Sequence, residues 1–178
     1  MESSRRDGFS YPEVGASQDG EPRGYNVDRN RIRLGDGEAV FARAVEALRA
    51  WKMFQLGWVE VFPLGAPISE GTTVAILVQL FGLWWLNAAR IVYLVDEAVP
   101  VRRFGFAYGT LIDHAEKGEE RFTVEWHPAD DSVWYDLRAF SWPRHPAALA
   151  AYPLSRQVQK RFARDSLKTM LRHSSAAR

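Results

Sequence analysis

His114, Glu116, Glu119 and Glu120 put an imidazole and three carboxylates into one seven-residue stretch. Imidazole titrates near neutrality and carboxylates bind hard cations, so the chemistry on offer is proton transfer or cation binding. No helical H-E-x-x-H pair is present, and the consecutive Glu119 and Glu120 point to opposite faces if they already lie in a strand. A solvated turn over Asp113–Glu120 is the plainer reading, with the edge of a ligand site as the alternative. Just upstream, Arg102–Leu111 has the two-residue period of a strand. Phe104, Phe106, Tyr108 and Thr110 fall on one side, and Arg103, Gly105, Ala107 and Gly109 on the other. A face built of glycine and alanine either admits another backbone or leaves a hollow.

Tyr108 and Thr110, with Tyr93 and Tyr135 from other strands, can present hydroxyls into an apolar cavity walled by rings such as Phe106. The competing reading is a packed core whose hydroxyls bond to backbone. Arg90, Asp136 and Arg138 are charges within otherwise apolar strands and need partners if buried. In an enzyme, these residue types assign Tyr108 to orientation or acid work, His114 to proton transfer and Arg138 to stabilising developing negative charge. Tyr93, Phe106, Thr110 and Tyr135 would line the ligand site.

Several chemistries are excluded. With no cysteine in the chain there is no disulfide, thiol nucleophile or thiolate metal site. No G-x-S-x-G elbow occurs, and Gly105-x-x-x-Gly109 lies inside a strand pattern, where it cannot form a phosphate-binding loop. No cofactor or metal is expected. His127 and His145 sit beside prolines and His173 lies near the end of the chain, all read as surface.

The 178 residues suit a single domain, with 47% apolar and 25% charged residues. A net charge of +1 implies no polyanionic partner. Arg156, Lys160, Arg164, Lys168 and Arg172 make a basic ridge at helical spacing, read as a solvated face, so nucleic acid is not an expected partner. The polar N-terminus lacks the apolar core of a signal peptide, and Thr73–Ile91 is too interrupted to cross a membrane, which suits a cytoplasmic protein.

The elements follow from period and punctuation. Residues 1–22, rich in Gly, Ser, Pro and charge, read as a loosely ordered arm in which Phe9–Pro12 can dock. Residues 23–172 read as one α+β domain, and 173–178 as a disordered tail. An irregular strand over Gly24–Leu34 precedes a helix over Glu38–Phe54, with Asp36 as candidate cap, Gly57 as terminator and Trp51 and Phe54 docking on the sheet. Strands follow at Trp58–Phe62, Thr73–Phe81 and Arg90–Asp96, the last two covered on both faces, with a corner at Gly82–Asn87. Further strands are Arg102–Leu111, Glu119–His127 and Ser132–Trp142. A long helix, Leu154–Arg172, ends the chain. Short connections favour an antiparallel meander. The arrangement expected is a curved antiparallel sheet of six or seven strands on a long C-terminal helix, the START-like helix-grip. A hotdog-like or partly open barrel is the alternative.

Trp58-Val59-Glu60-Val61, Gly105–Leu111, Gly118–Phe122, Ala139-Phe140-Ser141-x-Pro143 and Arg156-x-x-Gln159 together resemble uncharacterised protein family 0548, found in bacteria and plants. The resemblance runs from about Tyr11 to Leu171. It implies identity with a family that has no assigned activity. Members read Pro-Gly-His after the central strand, where this chain has Ile112-Asp113-His114. The histidine is kept and the turn differs.

The leading expectation is a protein that binds a hydrophobic small molecule between sheet and C-terminal helix. Alternatives are a cofactor-independent cyclase, isomerase or hydrolase using the same pocket, and a non-catalytic interaction module. Trp84 and Trp85 are adjacent and cannot both face one core from a strand. One of them is a candidate homodimer contact or cavity mouth.

Overall fold

Two-residue alternation through the middle of the chain produces seven antiparallel strands in one sheet. The computed structural model describes residues 8–18, 20, 22–112, 114, 116–144 and 152–175. The strands are β1 (Asn26–Asp36), β2 (Val59–Phe62), β3 (Thr73–Leu80), β4 (Leu83–Glu97), β5 (Arg102–Thr110), β6 (Glu116–His127) and β7 (Ser132–Pro143). They lie in the order β1-β7-β6-β5-β4-β3-β2, a meander whose first strand returns to pair with the last. β1 and β2 remain as edges, so the sheet is a curved layer gripping a helix, and the barrel alternative is set aside.

Two helices cover the concave face. α1 (Glu38–Arg49) buries Phe41, Ala44, Ala47 and Leu48, one stripe at steps of three and four. α2 (Tyr152–Ser174) buries Ala163, Ser166, Thr169 and Met170, while Val158, Phe162 and Leu167 are partly buried. The first helix stops short of the expected Phe54. Trp51 adopts a left-handed conformation (φ 53°) and a short 3₁₀ turn, Lys52–Phe54, follows. The break lets Trp51 and Phe54 both dock on the sheet. The Trp51 ring lies 4.9 Å from Phe106, and its Nε1 donates to the Ala66 carbonyl at 2.8 Å. Phe54 packs 5.4 Å from Phe122. Asp36 makes no cap and pairs with Arg33; Gly37 caps through its backbone.

Further expectations are corrected. The corner expected over Gly82–Asn87 is a tight hairpin: Leu80 pairs with Leu83, and the two loop residues Phe81 and Gly82 both have positive φ. Leu83, Trp84, Trp85 and Leu86 therefore begin β4 and are exposed, and β3 is only partly covered. β6 begins at Glu116, so most of the presumed turn is strand. The arm, expected to be loose, is docked over residues 8–18. Phe9 bridges to Leu111, Ser10 N–H donates to the Thr110 carbonyl at 2.9 Å, and Tyr11 is buried. Helix α2 runs two residues beyond the expected end, and Ser174 is buried with its hydroxyl on the Met170 carbonyl. The expectations for residues 1–7, Asp113, His145 and the last three residues fall outside the described positions.

Gly109 explains the docking. A Cβ there would sit 2.1 Å from the Tyr11 hydroxyl oxygen and 3.0 Å from Phe9. The bare backbone is the seat for both rings. We expect Gly109→Ala to displace the arm, with Ser10 amide exchange accelerating at least about tenfold while the Phe106 amide stays protected. Unchanged Ser10 protection would reject this account.

Candidate functional site

The N-terminal half of α2 stands off the concave face and leaves a cavity of about 390 Å³. Phe54, Ile76, Val78, Leu137, Val158 and Phe162 contribute its apolar walls, and Trp85 reaches its edge from the β4 end of the hairpin. One side is polar. Asp28 from β1, Tyr108 from β5, Glu116 and Glu120 from β6, and His114 from the intervening connection all line it. The alternation that places Phe122 and Val124 in the core carries Glu120 to the same concave side.

Tyr108 Oη donates a short hydrogen bond to Glu120 Oε2. Burial pushes the Glu120 carboxyl up to about 7; the Tyr108 bond opposes that rise, and the Glu116 and Asp28 charges add to it. The Tyr108 phenol is raised well above its ordinary value by burial and by the Glu120 charge, so it remains a donor. His114 is lowered to about 4 by burial and is neutral at pH 7. Its Nδ1 accepts the Glu116 backbone N–H at 3.0 Å, which leaves the ring proton on Nε2.

A second chain of polar contacts props the helix. Arg156 Nη2 donates to Asp28 Oδ1 at 2.7 Å, and Arg156 Nη1 donates to Gln159 Oε1 at 2.6 Å. Gln159 Nε2 in turn donates to Glu116 Oε2 and, at 3.1 Å, to Ser141 Oγ. Among the described residues, no three His, Asp or Glu side chains form a metal-binding group.

The structure sorts the expected site residues. Tyr108 and His114 line the cavity. Thr110 does too, but its hydroxyl is occupied, taking the Gly118 N–H at 2.9 Å and meeting Ser10 Oγ at 2.6 Å. Phe106 and Tyr135 lie in the solid core, and the Tyr135 hydroxyl is tied to Ser166 Oγ at 3.1 Å. Tyr93 is on the opposite face. A bulge between Ile91 and Tyr93 pairs Ile91 with Tyr108 but Tyr93 with Ala107, so its hydroxyl meets Ser17 at 2.7 Å. Arg138 also faces away from the cavity and pairs with Asp136 at 2.8 Å, because Tyr135, Leu137 and Ala139 take the inward positions of β7. Neither Tyr93 nor Arg138 can touch a molecule in the cavity.

Sequence reasoning missed Asp28, Arg156 and Gln159. Asn26, Asp28 and Asn30 alternate as polar residues on β1, and Arg156 and Gln159 are one helical turn apart. Those were the available signals.

Burial of the two groups acts on stability with opposite signs. A carboxyl raised on folding contributes stability in full below its unfolded value, near 4.5, and that contribution is lost as pH climbs through about 7. A histidine lowered on folding contributes in full above 6.5 and loses the contribution as pH falls toward about 4. The two slopes oppose each other between these limits, so the carboxyl must be read by difference. In urea titrations, Glu120→Gln should exceed the wild type by up to about 3 kcal/mol at about pH 8.5, and by far less at about pH 5. An equal effect at both pH values would show that Glu120 titrates normally.

Comparison with known proteins agrees with this architecture. The family described as "Domain of unknown function (DUF1990)" matches residues 10–169. The UPF0548 protein of Dictyostelium discoideum is 42% identical over 156 residues, covering 83% of this chain and 72% of its own. The UPF0548 protein of Deinococcus radiodurans is 42% identical over 182 aligned positions, covering 95% of this chain and 89% of its own. Among solved structures, the Zhui aromatase/cyclase from Streptomyces sp. R1128 superposes with a TM-score of 0.58 at 16% identity, over 84% of this chain and 93% of that one. At that identity the likeness establishes the shared helix-grip fold. With nearly the whole domain matched by the family and by both relatives, the chain belongs to the UPF0548 family.

Proposed function

We propose that this protein binds a hydrophobic small molecule in the cavity between the sheet and α2. The observation that carries the reading is the cavity itself: apolar over most of its wall, polar at one side, and of the size that small-molecule sites use. A helix-grip fold shared with an aromatase/cyclase supports it at the level of architecture. A second reading, a cofactor-independent enzyme in the same cavity, is favoured by one feature. Glu120 is a carboxyl raised to about 7 and bonded to a phenol, as a group exchanging protons near neutrality needs.

Ala139 lines the cavity from β7, beside Glu120, and a tryptophan there would intrude into it and block the approach to that carboxyl. Native mass spectrometry of protein taken directly from cells should show a bound small molecule in the wild type and none in Ala139→Trp. No bound mass in the wild type, together with no thermal shift from a broad metabolite panel, would overturn the binding reading. If the ligand is turned over, Tyr108→Phe and Glu120→Gln should lower the rate by about 10²–10⁴ while binding persists. A carrier has no rate to lose.

We further propose that the exposed apolar surface at the start of β4 pairs two copies of the chain. Trp84 is 48% exposed and Leu86 61%. In the β3–β4 register they lie on the side away from the cavity, whereas Trp85 lies at the cavity edge. Sedimentation at micromolar concentration should give twice the chain mass, reduced by Trp84→Glu. A monomer at every concentration removes this assembly.

A further inference from the structure

The polar side of the cavity is rich in acceptors and in negative charge. Asp28, Glu116 and Glu120 face it, and the guanidinium nearest them, Arg156, is already engaged with Asp28 and Gln159. Lys160 also borders the cavity, but as an exposed side chain at the rim its charge is screened by water. His114 is neutral. Glu116 takes the Gln159 amide on Oε2, and Glu120 takes Tyr108 on Oε2. Glu120 Oε1 receives no hydrogen bond from any described residue. Tyr108, the phenol at this site, spends its proton on Glu120. A ligand's polar end at Glu120 therefore meets carboxylate oxygens, while the His114 Nε2–H and the Asn30 and Asn87 amides in the lining are uncharged and leave the negative charge unanswered.

The rest of the cavity limits what kind of cation could answer that charge. A bare metal ion would need three converging ligands, and none converge among the described residues. A small hydrated cation would leave the apolar walls unmatched. Those walls extend across β5 and β4 to Ile76 and Val78 on β3, three strand spacings from β6, or roughly 14 Å along the sheet. The complementary molecule carries its positive charge at one end of an apolar body.

Building on the proposed function, we infer that the cavity's ligand is a hydrophobic amine, held as its ammonium with the nitrogen against Glu120 and the apolar body directed toward Ile76 and Val78. An ammonium supplies the N–H donors that Glu120 Oε1 lacks and neutralises the acidic side. A carboxylate of the same shape would face three carboxylates, and an alcohol would satisfy one acceptor without offsetting charge.

The test is isothermal titration at about pH 8 with decylammonium, decanol and decanoate, three probes with the same chain and different heads. Decylammonium should bind at least about tenfold tighter than decanol, and decanoate weakest of all. Glu120→Gln, which keeps the shape and the Tyr108 contact, should weaken decylammonium by about tenfold or more and leave decanol within about twofold. Ala139→Trp should abolish binding of all three probes. Decanol or decanoate binding as tightly as decylammonium would overturn the inference while leaving the cavity reading intact. So would an equal effect of Glu120→Gln on amine and alcohol. Decylammonium binding that survives Ala139→Trp would place the amine outside the cavity and also overturn it. Failure of all three probes on the wild type would take the cavity reading down as well.

Discussion

Consecutive residues of a strand face opposite ways, and at Glu119 and Glu120 this puts one carboxylate on each side of the sheet. The rest of the molecule is arranged around that pair. Glu119 is buried on the convex side, where a carboxylate without partners would be costly. The N-terminal arm satisfies it. Tyr11 Oη donates at 2.6 Å, the Gly15 amide at 2.8 Å and the Ser17 amide at 3.0 Å, and the Ser17 hydroxyl adds a further short bond. The small face of β5 gives the arm its seat at Gly109. The stretch that reads in sequence as a loosely ordered arm is, over residues 8–18, the roof over a buried charge.

On the concave side the constraint is reversed. Among the described residues Glu120 has one donor, Tyr108, and it faces the cavity, and the helix above it is held by polar props. Arg156 reaches Asp28 on β1, and Gln159 reaches Glu116 on β6. Farther along, α2 settles into the core. Ser166 meets Tyr135, Met170 is fully buried, and the Ser174 carbonyl accepts from Arg43 of α1 at 2.7 Å. The first turns of the helix thus rest on side-chain struts and the later turns on apolar contact. The cavity lies under the strutted half. Val158 and Phe162, which would close a solid core, remain partly buried and form its wall.

Much of this was legible in the sequence. The period of two along β5, β6 and β7, the period of 3.6 in both helices and the turn residues between them specify element order and sheet layer. Local events that break a period were not legible. One extra residue at Val92 sends Tyr93 to the convex face, and nothing in Arg90–Asp96 announces it. The left-handed turn at Trp51 arises because two large rings must reach the sheet from one helix end, which is a tertiary demand. Arg138 is a different case. The alternation that assigns Tyr135 and Leu137 inward places it outward, so its parity excludes it from the cavity whatever its charge. The polar side of the cavity combines β1, β5, β6 and α2, so its membership depends on the closing of β1 onto β7, which sequence spacing does not encode.

The electrostatics of the cavity follow from its shape. Burial disfavours charge whatever its sign, so it lowers His114 and raises Glu120 together, and both shifts move the site toward neutrality. Asp28 forms an ion pair with Arg156. Among the described residues the Tyr108 phenol is the one donor to Glu120, and it softens the penalty without removing it. A fold optimised for stability alone would place an apolar residue there, as it does at the neighbouring inward positions Phe122 and Val124 on the same strand. Retaining an incompletely partnered carboxyl beneath a helix held off by struts costs stability. In physical terms the cost is intelligible if an incoming group supplies the missing donor and charge. The hollow and the unsettled carboxyl are then two parts of one site.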